Sequence, residues 1–330
     1  MMLLRRACAL FAFATIALTA CGSDPASDPA APSTPAAFSD PAADGESLAK
    51  AWFELLSMTG SAEGVIEVSP EEAAQGAELV RPFLDPAFQL QRATGQRYTR
   101  DNYIPSDIDA FEIADMRATE PRKGVKVLRY ATRTPGATLP DSNMVMSDEL
   151  QPRLTVMRWD EGLDRWLIVS HANFNTPVQA ICNQEPITVN PIEVNTSTAD
   201  RELGEALTRT MWELFVDGDA SPIVHPQIQV QTAGGGGFTT IDEYKPGKMA
   251  VAELSDFVVT RNEDLIVVNH GMEAQGNVYE GITKLGEQKT PRLLTFLKDE
   301  QGEWKLITSA SFSPPAEIPP DVDCAPATEE

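Results

Sequence analysis

A repeated stretch of strand-forming sequence constrains the fold of this chain more than any other feature. Residues 152–177 read PRLTVMRWDEGLDRWLIVSHANFNTP, and residues 291–315 read PRLLTFLKDEQGEWKLITSASFSPP. Five further blocks precede these segments in the same order in both halves: LAKAWFELL (48–56) with LTRTMWELF (207–215), LDPAFQLQ (84–91) with VHPQIQVQ (224–231), YTRDNY (98–103) with FTTIDEY (238–244), AFEIADMRAT (110–119) with VAELSDFVVT (251–260), and VKVLRYATRTPG (125–136) with LIVVNHGMEAQG (265–276). Blocks that stay in register in this way indicate a tandem duplication, with one insertion around residues 61–82.

Each half has the pattern of helices followed by strands. SLAKAWFELL (47–56) carries apolar residues at helical spacing, and Thr240 with Glu243 forms a capping box that predicts a short helix. β-branched and aromatic runs follow, and the turns DEGLD and DEQGE predict that the last two strands of each half form a hairpin.

The last strand of the first half is apolar on both sides. Strict alternation places its side chains on two faces: Trp166, Ile168, Ser170, Ala172 and Phe174 on one, and Leu167, Val169, His171 and Asn173 on the other. A strand of this kind belongs to a sheet that is covered on both sides. We expect the helices of the same half to cover one side and the second copy to cover the other.

The N-terminus has the features of an export signal. Arg5 and Arg6 precede an apolar run (7–20) that ends in LTAC (18–21), which resembles the bacterial lipobox. We therefore predict a lipoprotein signal peptide over 1–20, lipidation of Cys21, and a disordered Pro/Ala/Ser/Asp tether over 21–45. The alternative is an ordinary secretory signal in which Cys21 is incidental.

These N-terminal features predict a lipid-anchored protein of the cell envelope. It would lie at the outer membrane or in the periplasm of a cell with two membranes, or at the surface of a cell with one. The lipid anchor is the predicted membrane contact.

Composition and spacing exclude several classes of function. The net charge of −23 argues against nucleic acid as a partner, since both are acidic. The three histidines are isolated, so no metal site is expected. The glycine run at 234–237 lacks the Lys-Ser/Thr of a phosphate-binding loop, and no cofactor is expected.

The order of the motifs resembles the NTF2-like superfamily, and within it the SnoaL-like and DUF4440-like bacterial domains. The resemblance covers residues 46–177 and 200–315. It rests on the N-terminal helix, the FQ strand, a short Tyr-ended helix expected at YTRDNY (98–103), the VLRY strand and the hairpin that ends WLIVSHANF. It implies an α+β, cystatin-like fold in which a curved antiparallel sheet wraps round helices into a cone. Domains of this family commonly pair sheet to sheet, so the chain resembles a dimer fused into one polypeptide. We expect domain 1 over 46–190, domain 2 over 195–324, a disordered tail over 325–330, and a monomer that is an internal pseudo-dimer.

Two cysteines remain once Cys8 of the signal and Cys21 are set aside. Cys182 and Cys324 follow the last strands of the two halves at roughly equivalent positions, and export would place them in an oxidising compartment. Equivalent positions meet only near a pseudo-two-fold axis, so the resemblance predicts a Cys182–Cys324 disulfide. Two separate thiols are the alternative.

The resemblance also suggests where chemistry could take place. Ketosteroid isomerase-like members use an Asp or His base with a polar donor in the cone. The catalytic candidates here are a His171–Asp115 pair in the first half and a His270–Asp256 pair in the second. The ligand-binding candidates are Tyr103, Tyr130, Asn173 and Tyr244.

Three functional hypotheses follow. The first is a non-catalytic module that binds a small apolar or amphipathic ligand or an envelope protein. The second is an isomerase, cyclase or dehydratase that uses one of the histidines. The third is a purely structural protein with filled cones.

Overall fold

The computed structural model describes residues 34–59, 70–106, 108–137, 146, 148–175, 189–233, 237–238, 240, 250–275 and 289–312. Cys21, Cys182, Cys324 and Tyr244 lie outside these ranges. The α-helices among these described residues are α1 (Gly45–Ser57), α2 (Pro70–Val80) and α3 (Thr198–Asp217). The strands of the first half are β1 (Leu84–Arg92), β2 (Arg97–Thr99), β3 (Glu112–Arg122), β4 (Val125–Arg133), β5 (Gln151–Asp160) and β6 (Arg165–Asn173). Those of the second half are β7 (Val224–Thr232), β8 (Gly237–Phe238), β9 (Ala250–Asn262), β10 (Leu265–Gln275), β11 (Thr290–Lys298) and β12 (Trp304–Ser311).

Side chains at the helix ends fix where α1 and α3 begin. The Asp44 carboxylate accepts the amide of Ser47 at 2.8 Å, and the Ser197 hydroxyl accepts the amide of Asp200 at 3.1 Å. Gly218, with φ +86°, ends α3 in the left-handed conformation that glycine adopts without strain. α2 lies in the insertion of the first half, so the described residues of the second half contain no equivalent of it.

Each half forms its own six-stranded sheet, and the two sheets have the same strand order. The first sheet runs β2-β1-β6-β5-β4-β3 and the second runs β8-β7-β12-β11-β10-β9. The hairpins β5–β6 and β11–β12 confirm the two predicted hairpin turns. The expectation of an antiparallel sheet is wrong in one respect, because β1 pairs with β6, and β7 with β12, in parallel. Each sheet is therefore mixed. In the first sheet the strands β3 to β6 form an antiparallel meander, and its last strand, β6, then pairs in parallel with β1; β9 to β12 and β7 repeat this arrangement in the second sheet.

Small residues let the helices lie close to their sheets. A Cβ on Gly45 would lie 2.6 Å from Cβ of Ala118 on β3, and one on Gly204 would lie 2.6 Å from Cγ1 of Val259 on β9. Neither position accepts a larger side chain without movement of the helix or the strand.

Three buried apolar clusters hold the described residues together. The first joins α1 to one face of the first sheet, and the second joins α3 to one face of the second sheet. The third, which we call the shared core, draws on the strands of both halves. Its buried residues are Ala87, Ala93, Val125, Val127, Leu154, Val156, Val169, Ala172, Phe174, Leu265, Val267, Leu293, Leu297, Ile307, Ala310 and Phe312. Both faces of each sheet are thus covered, as the apolar pattern of the last strand predicted.

Polar side chains pair across the shared core. The hydroxyls of Ser170 and Thr295 lie 2.8 Å apart, and Asn269 Nδ2 donates to Gln91 Oε1 at 2.8 Å. Gln89 Nε2 donates to the Val267 carbonyl at 2.9 Å, which satisfies a buried amide of one half with a backbone oxygen of the other.

A β-bulge in the last strand changes the predicted facing of its side chains. Met157 on β5 pairs with Ile168 and Val156 pairs with Ser170, so Val169 is an extra residue in β6. Strict alternation is therefore wrong beyond Ile168: Val169, Ala172 and Phe174 lie in the shared core, whereas His171 and Asn173 lie on the side of Trp166 and Ile168. Ile307 makes the equivalent bulge in β12.

Two further expectations are corrected near the N-terminal end of the first half. The disordered tether was predicted to reach residue 45, but residues 36–39 form a 3₁₀ turn in which Phe38 is fully buried against Phe83, with ring centroids 4.9 Å apart. The short helix expected at YTRDNY is a turn, because Asn102 Oδ1 accepts a hydrogen bond from the backbone amide of Thr99 at 2.6 Å. The capping-box helix from Thr240 to Glu243 lies outside the described residues except for Thr240.

No helix among the described residues is long and apolar enough to cross a lipid bilayer.

Replacement of Phe312 by alanine tests the shared core. Phe312 is fully buried and stacks on Phe174, its counterpart in the first half, with centroids 4.5 Å apart and planes 14° from parallel. We expect Phe312→Ala to lower the free energy of unfolding by about 3–5 kcal/mol, because it removes buried aromatic surface and leaves a cavity. Urea unfolding measures the change, and Leu163→Ala, at a site 53% exposed, is the control. A loss no larger than that of the control would contradict the packing of the two sheets.

Candidate functional site

The first half contains a small cavity between α1, its sheet and the segments that follow β2 and β4. Its volume is about 20 Å³, which is room for one water molecule or little more. One part of the lining is apolar and the other is polar. The apolar part comprises Phe53, Leu56, Leu90, Ile108, Ala137 and Met146, and the polar part comprises Arg92, Tyr103, Ser106, Thr134, Arg153, His171 and Asn173.

Arg92, the last residue of β1, presents its guanidinium to this cavity. Its side chain is buried, and its Nη2 donates to the Ile104 carbonyl at 3.2 Å and to the Ser106 hydroxyl at 3.1 Å. The guanidinium carbon also lies 4.9 Å from the ring centroid of Tyr98. Arg92 also interacts with the Tyr103 hydroxyl, and its charge and hydrogen bond partly offset the rise in the pKa of Tyr103 that burial causes. By distance and angle, its Nε and Nη1 have no hydrogen-bond partner among the described residues.

Arg153, on β5, is the second buried arginine of the lining. Its Nη1 donates to the carbonyl of Pro152 at 2.8 Å, while its Nε has no partner within the described part of the chain. Burial lowers the pKa of Arg153 to about 10, Tyr130 acts in the opposite direction, and the nearby charge of Arg92 adds to the lowering. The group still carries its proton at neutral pH.

His171 lies beside these two arginines and is held by a chain of hydroxyl groups. Thr155 Oγ1 lies 2.8 Å from His171 Nδ1 and 3.0 Å from the Tyr130 hydroxyl. Burial, followed by the charges of Arg153 and Arg92, lowers the pKa of His171 well below 6.5, so the ring is neutral at pH 7. Burial also raises the pKa values of Tyr103 and Tyr130 to about 12, so both remain protonated.

The geometry does not bring the predicted pair of His171 and Asp115 together. Asp115 is exposed on β3, and two strands separate β3 from β6 in the sheet. Three strand spacings amount to roughly 14 Å. Among the described residues that line the cavity there is no carboxylate that could act with His171.

The second predicted pair, His270 and Asp256, is also not formed. His270 is fully buried on β10, accepts a hydrogen bond from Trp212 Nε1 at its Nε2 over 3.1 Å, and stacks on Phe257. Asp256 instead accepts from the Ser255 hydroxyl at 2.7 Å and from Lys289 Nζ at 3.1 Å. Burial, followed by the charge of Arg292, lowers the pKa of His270 well below 6.5.

The match between Asp115 and Asp256 has a backbone explanation. Asp115 has φ +53° and Asp256 has φ +54°, and both lie at irregularities in the pairing of β3 with β4 and of β9 with β10. Aspartate tolerates this left-handed conformation better than most residues. Aspartate therefore occurs at the same position in both halves because both strands have the same irregularity there.

The two halves differ at the cavity. Arg153 has an equivalent in Arg292, but Arg92 corresponds to Thr232, because Arg92 pairs with Asn173 and Thr232 with Ser311 in the same parallel register. His171 corresponds to Ser309 and Tyr130 to His270. The polar set around the first cavity is thus not repeated in the second half.

Of the residues predicted for ligand binding, Tyr103 and Asn173 line the cavity, and Tyr130 supports His171 through Thr155. Tyr244 lies outside the described residues. Sequence reasoning missed Arg92 and Arg153. The signal was present, because each arginine interrupts an apolar strand pattern, in FQLQR and in PRLTV. Among the described residues, no group of three or more His, Cys, Asp or Glu side chains could hold a metal ion.

Comparisons with known proteins give likenesses of fold to parts of the chain. Neither protein-family models nor curated proteins give a match. A solved NTF2-like protein from Cytophaga hutchinsonii is 16% identical, with a TM-score of 0.30, and the match covers 36% of this chain and 99% of that one. A ketosteroid isomerase-like protein from Shewanella frigidimarina is 16% identical, with a TM-score of 0.27 and coverages of 33% and 93%. The CaMKII hub of S. rosetta is 17% identical, with a TM-score of 0.28 and coverages of 36% and 98%. NTF2-like proteins, which the sequence motifs resemble, are thus among the solved structures to which this chain is similar.

The depressed histidine pKa values predict how stability depends on pH. An unfolded histidine has its ordinary pKa of 6.5, and the folded pKa of His270 lies well below that. The stabilisation is therefore complete above pH 6.5 and is lost as the pH falls below it, because only the unfolded chain takes up the proton. We expect His270→Gln to reduce the slope of stability against pH between 6.5 and 5.5 by up to about 1.4 kcal/mol per pH unit.

Urea unfolding at several pH values measures this slope. His225 is the matched control, because it lies near the surface and its pKa is lowered less. His225→Gln should change the slope less than His270→Gln does. Equal slopes in the wild type and in His270→Gln would contradict a neutral, buried His270.

Proposed function

We propose that this protein is a non-catalytic, lipid-anchored binding protein of the cell envelope, which holds a small ligand in the cavity of its first half. In this proposal the chain consists of two cone-shaped NTF2-like domains, over 46–190 and 195–324, packed sheet to sheet as an internal pseudo-dimer. The shared core and the common strand order support the pairing. One observation carries the binding role: a cavity of about 20 Å³ is lined by buried polar groups, and several of their N–H donors have no partner among the described residues.

Unsatisfied donors of this kind favour binding over a purely structural role. A buried polar group without a hydrogen bond destabilises a fold, and natural cores contain few of them. Polar donors of the described residues that converge on an internal space are therefore typical of a ligand site.

The chemistry of His171 favours binding over catalysis. A general base works best when its pKa lies near the working pH. The pKa of His171 is held well below 6.5, so it is a weak base, and the described lining offers no carboxylate in its place. An isomerase, cyclase or dehydratase remains the competing function, and turnover that is abolished by His171→Gln would establish it.

Native mass spectrometry of the full chain, purified gently from its own host, tests the binding role. We expect a co-purifying mass that is lost on denaturation. Ala137→Leu should remove this mass, because Ala137 lines the cavity and a leucine there would fill it. Leu163→Ala, at an exposed site, should leave the mass in place. A bare chain under conditions that preserve known complexes would overturn the proposal.

The lipid anchor has its own test. Metabolic labelling with a fatty acid analogue should label the full chain, and Cys21→Ser should abolish the label and release the protein from the membrane fraction. Cys8→Ser is the matched control, since Cys8 lies inside the predicted signal peptide. Label that persists in Cys21→Ser would rule out this anchor.

The proposal also includes a disulfide between Cys182 and Cys324. A loop of this length contributes about 5 kcal/mol at most through the entropy of the unfolded chain. Peptide mass mapping under non-reducing conditions should find one cross-linked pair. Recovery of both cysteines as free thiols would exclude the disulfide.

A further inference from the structure

Two polar sites lie where the two halves meet, and each site is formed by strands of both sheets. At the first site, β1 and its neighbour β2 meet β9 and β10 of the second half. At the second site, β7 and its neighbour β8 meet β3 and β4 of the first half. The two sites correspond to each other, because the strands that form them occupy the same places in the two sheets.

An arginine of the first half occupies the first site. Arg97, on β2, is 3% exposed, and its Nη1 donates to the backbone carbonyl of Asp256 on β9 at 2.7 Å. Its Nε donates to Gln91 Oε1 at 3.3 Å, and Asn269 on β10 donates to the same oxygen at 2.8 Å. Burial lowers the pKa of Arg97 to about 10, while the charge of Asp256 acts in the opposite direction. The guanidinium therefore keeps its positive charge at neutral pH.

An arginine of the first half also occupies the second site, but it comes from a different strand. Arg129, on β4, donates from its Nε to Gln229 Oε1 at 3.1 Å. A Cβ on Gly237, on β8, would lie 1.9 Å from Nη1 of Arg129. The backbone of Gly237 lies outside the left-handed region, so lack of space, rather than backbone conformation, excludes a side chain there.

The two sites use the same two positions in opposite ways. Arg97 and Gly237 are equivalent in the pairing of their strands with β1 and β7. Arg129 and Asn269 are equivalent in β4 and β10. The first site thus combines Arg97 with Asn269, and the second combines Gly237 with Arg129. At these four positions each site has one arginine, and the first half supplies both.

Pairs of like halves would lose this balance. Two copies of the first half would bring Arg97 of one copy against Arg129 of the other at both sites. Two positive charges would then share a space that now holds one, and opposed like charges strongly disfavour an interface. Two copies of the second half would bring Gly237 against Asn269, which leaves the space of the guanidinium unfilled and its packing contacts unmade.

We propose that Arg97 and Arg129 specify how the halves pair, so that the face of the first sheet on the shared core accepts the second half and excludes another copy of the first. Specificity of this kind requires a repulsive element against the wrong partner as well as a fit to the right one. The inference rests on the sheet-to-sheet pairing proposed above and is independent of the ligand-binding role.

Gly237→Arg recreates, within one chain, the site that two first halves would form. It places a second guanidinium beside Arg129, and we expect the Tm of the full chain to fall by at least about 5 °C. Gly237→Gln introduces a long polar side chain without the charge, and should lower Tm by less than half as much. Leu163→Arg adds the same residue at an exposed site and should change Tm by no more than about 2 °C.

Arg129→Asn should have opposite effects in two backgrounds. In the wild type it removes the guanidinium from the second site and should lower Tm. In Gly237→Arg it leaves one guanidinium opposite an asparagine, which is the arrangement of the first site, and should raise Tm. If Gly237→Arg does not fold, recovery of folded protein in the double variant is the same result. Asn269→Arg, with and without Arg97→Gly, repeats this cycle at the first site and should show the same reversal.

The outcomes separate this inference from the pairing of the sheets. A Tm of Gly237→Arg that Arg129→Asn does not raise, or equal losses in Gly237→Gln and Gly237→Arg, would overturn the role of the arginines. A loss in Gly237→Arg no larger than that in Leu163→Arg would overturn it as well. If Phe312→Ala is strongly destabilised in the same series, the packing of the two sheets still stands; if it is not, both fail. The co-purifying mass reports on the ligand-binding role separately.

Discussion

Each six-stranded sheet carries apolar side chains on both faces, and the helices of its own half cover only one of them. Exposure of the other face would leave valine, leucine and phenylalanine side chains in contact with water, which is unfavourable roughly in proportion to the apolar area. The shared core removes both open faces at once, because each half supplies the cover for the other. The stacked pair Phe174–Phe312 and the hydrogen bond between Ser170 and Thr295 show how closely the two sheets approach.

The two halves differ on the sheet faces that pack against their own helices. The side of each sheet that meets the other half combines apolar residues with paired polar side chains in both copies, whereas the side that faces the helix has diverged. The first half has a polar cavity with two buried arginines, and the second half buries His270 against Trp212 and Phe257 instead. A duplicated chain can thus keep the packing surface in both copies while the sides that face the helices diverge.

Much of the fold could be predicted from the sequence because it depends on local pattern and on repetition. The helical spacing of LAKAWFELL and the hairpins at DEGLD and DEQGE are local features, and the structure contains each of them. The parallel pairing of β1 with β6 could not be predicted in this way, since it joins segments that are far apart in sequence. Nor could the packing of Phe38, a single aromatic in a segment whose composition is typical of a disordered tether.

The sequence by itself determined that the chain has two matched halves and that their sheets are covered on both sides, because repetition and apolar periodicity are properties of the chain. Only the tertiary structure decided which polar residues meet. One extra residue, Val169, reverses the alternation of β6 and places His171 at the cavity, since side chains in a strand alternate with a period of two. The same assembly brings Arg92 from β1 and Arg153 from β5 to one buried space without a described carboxylate. Charge compensation depends on distances between elements, and the order of residues alone does not contain those distances.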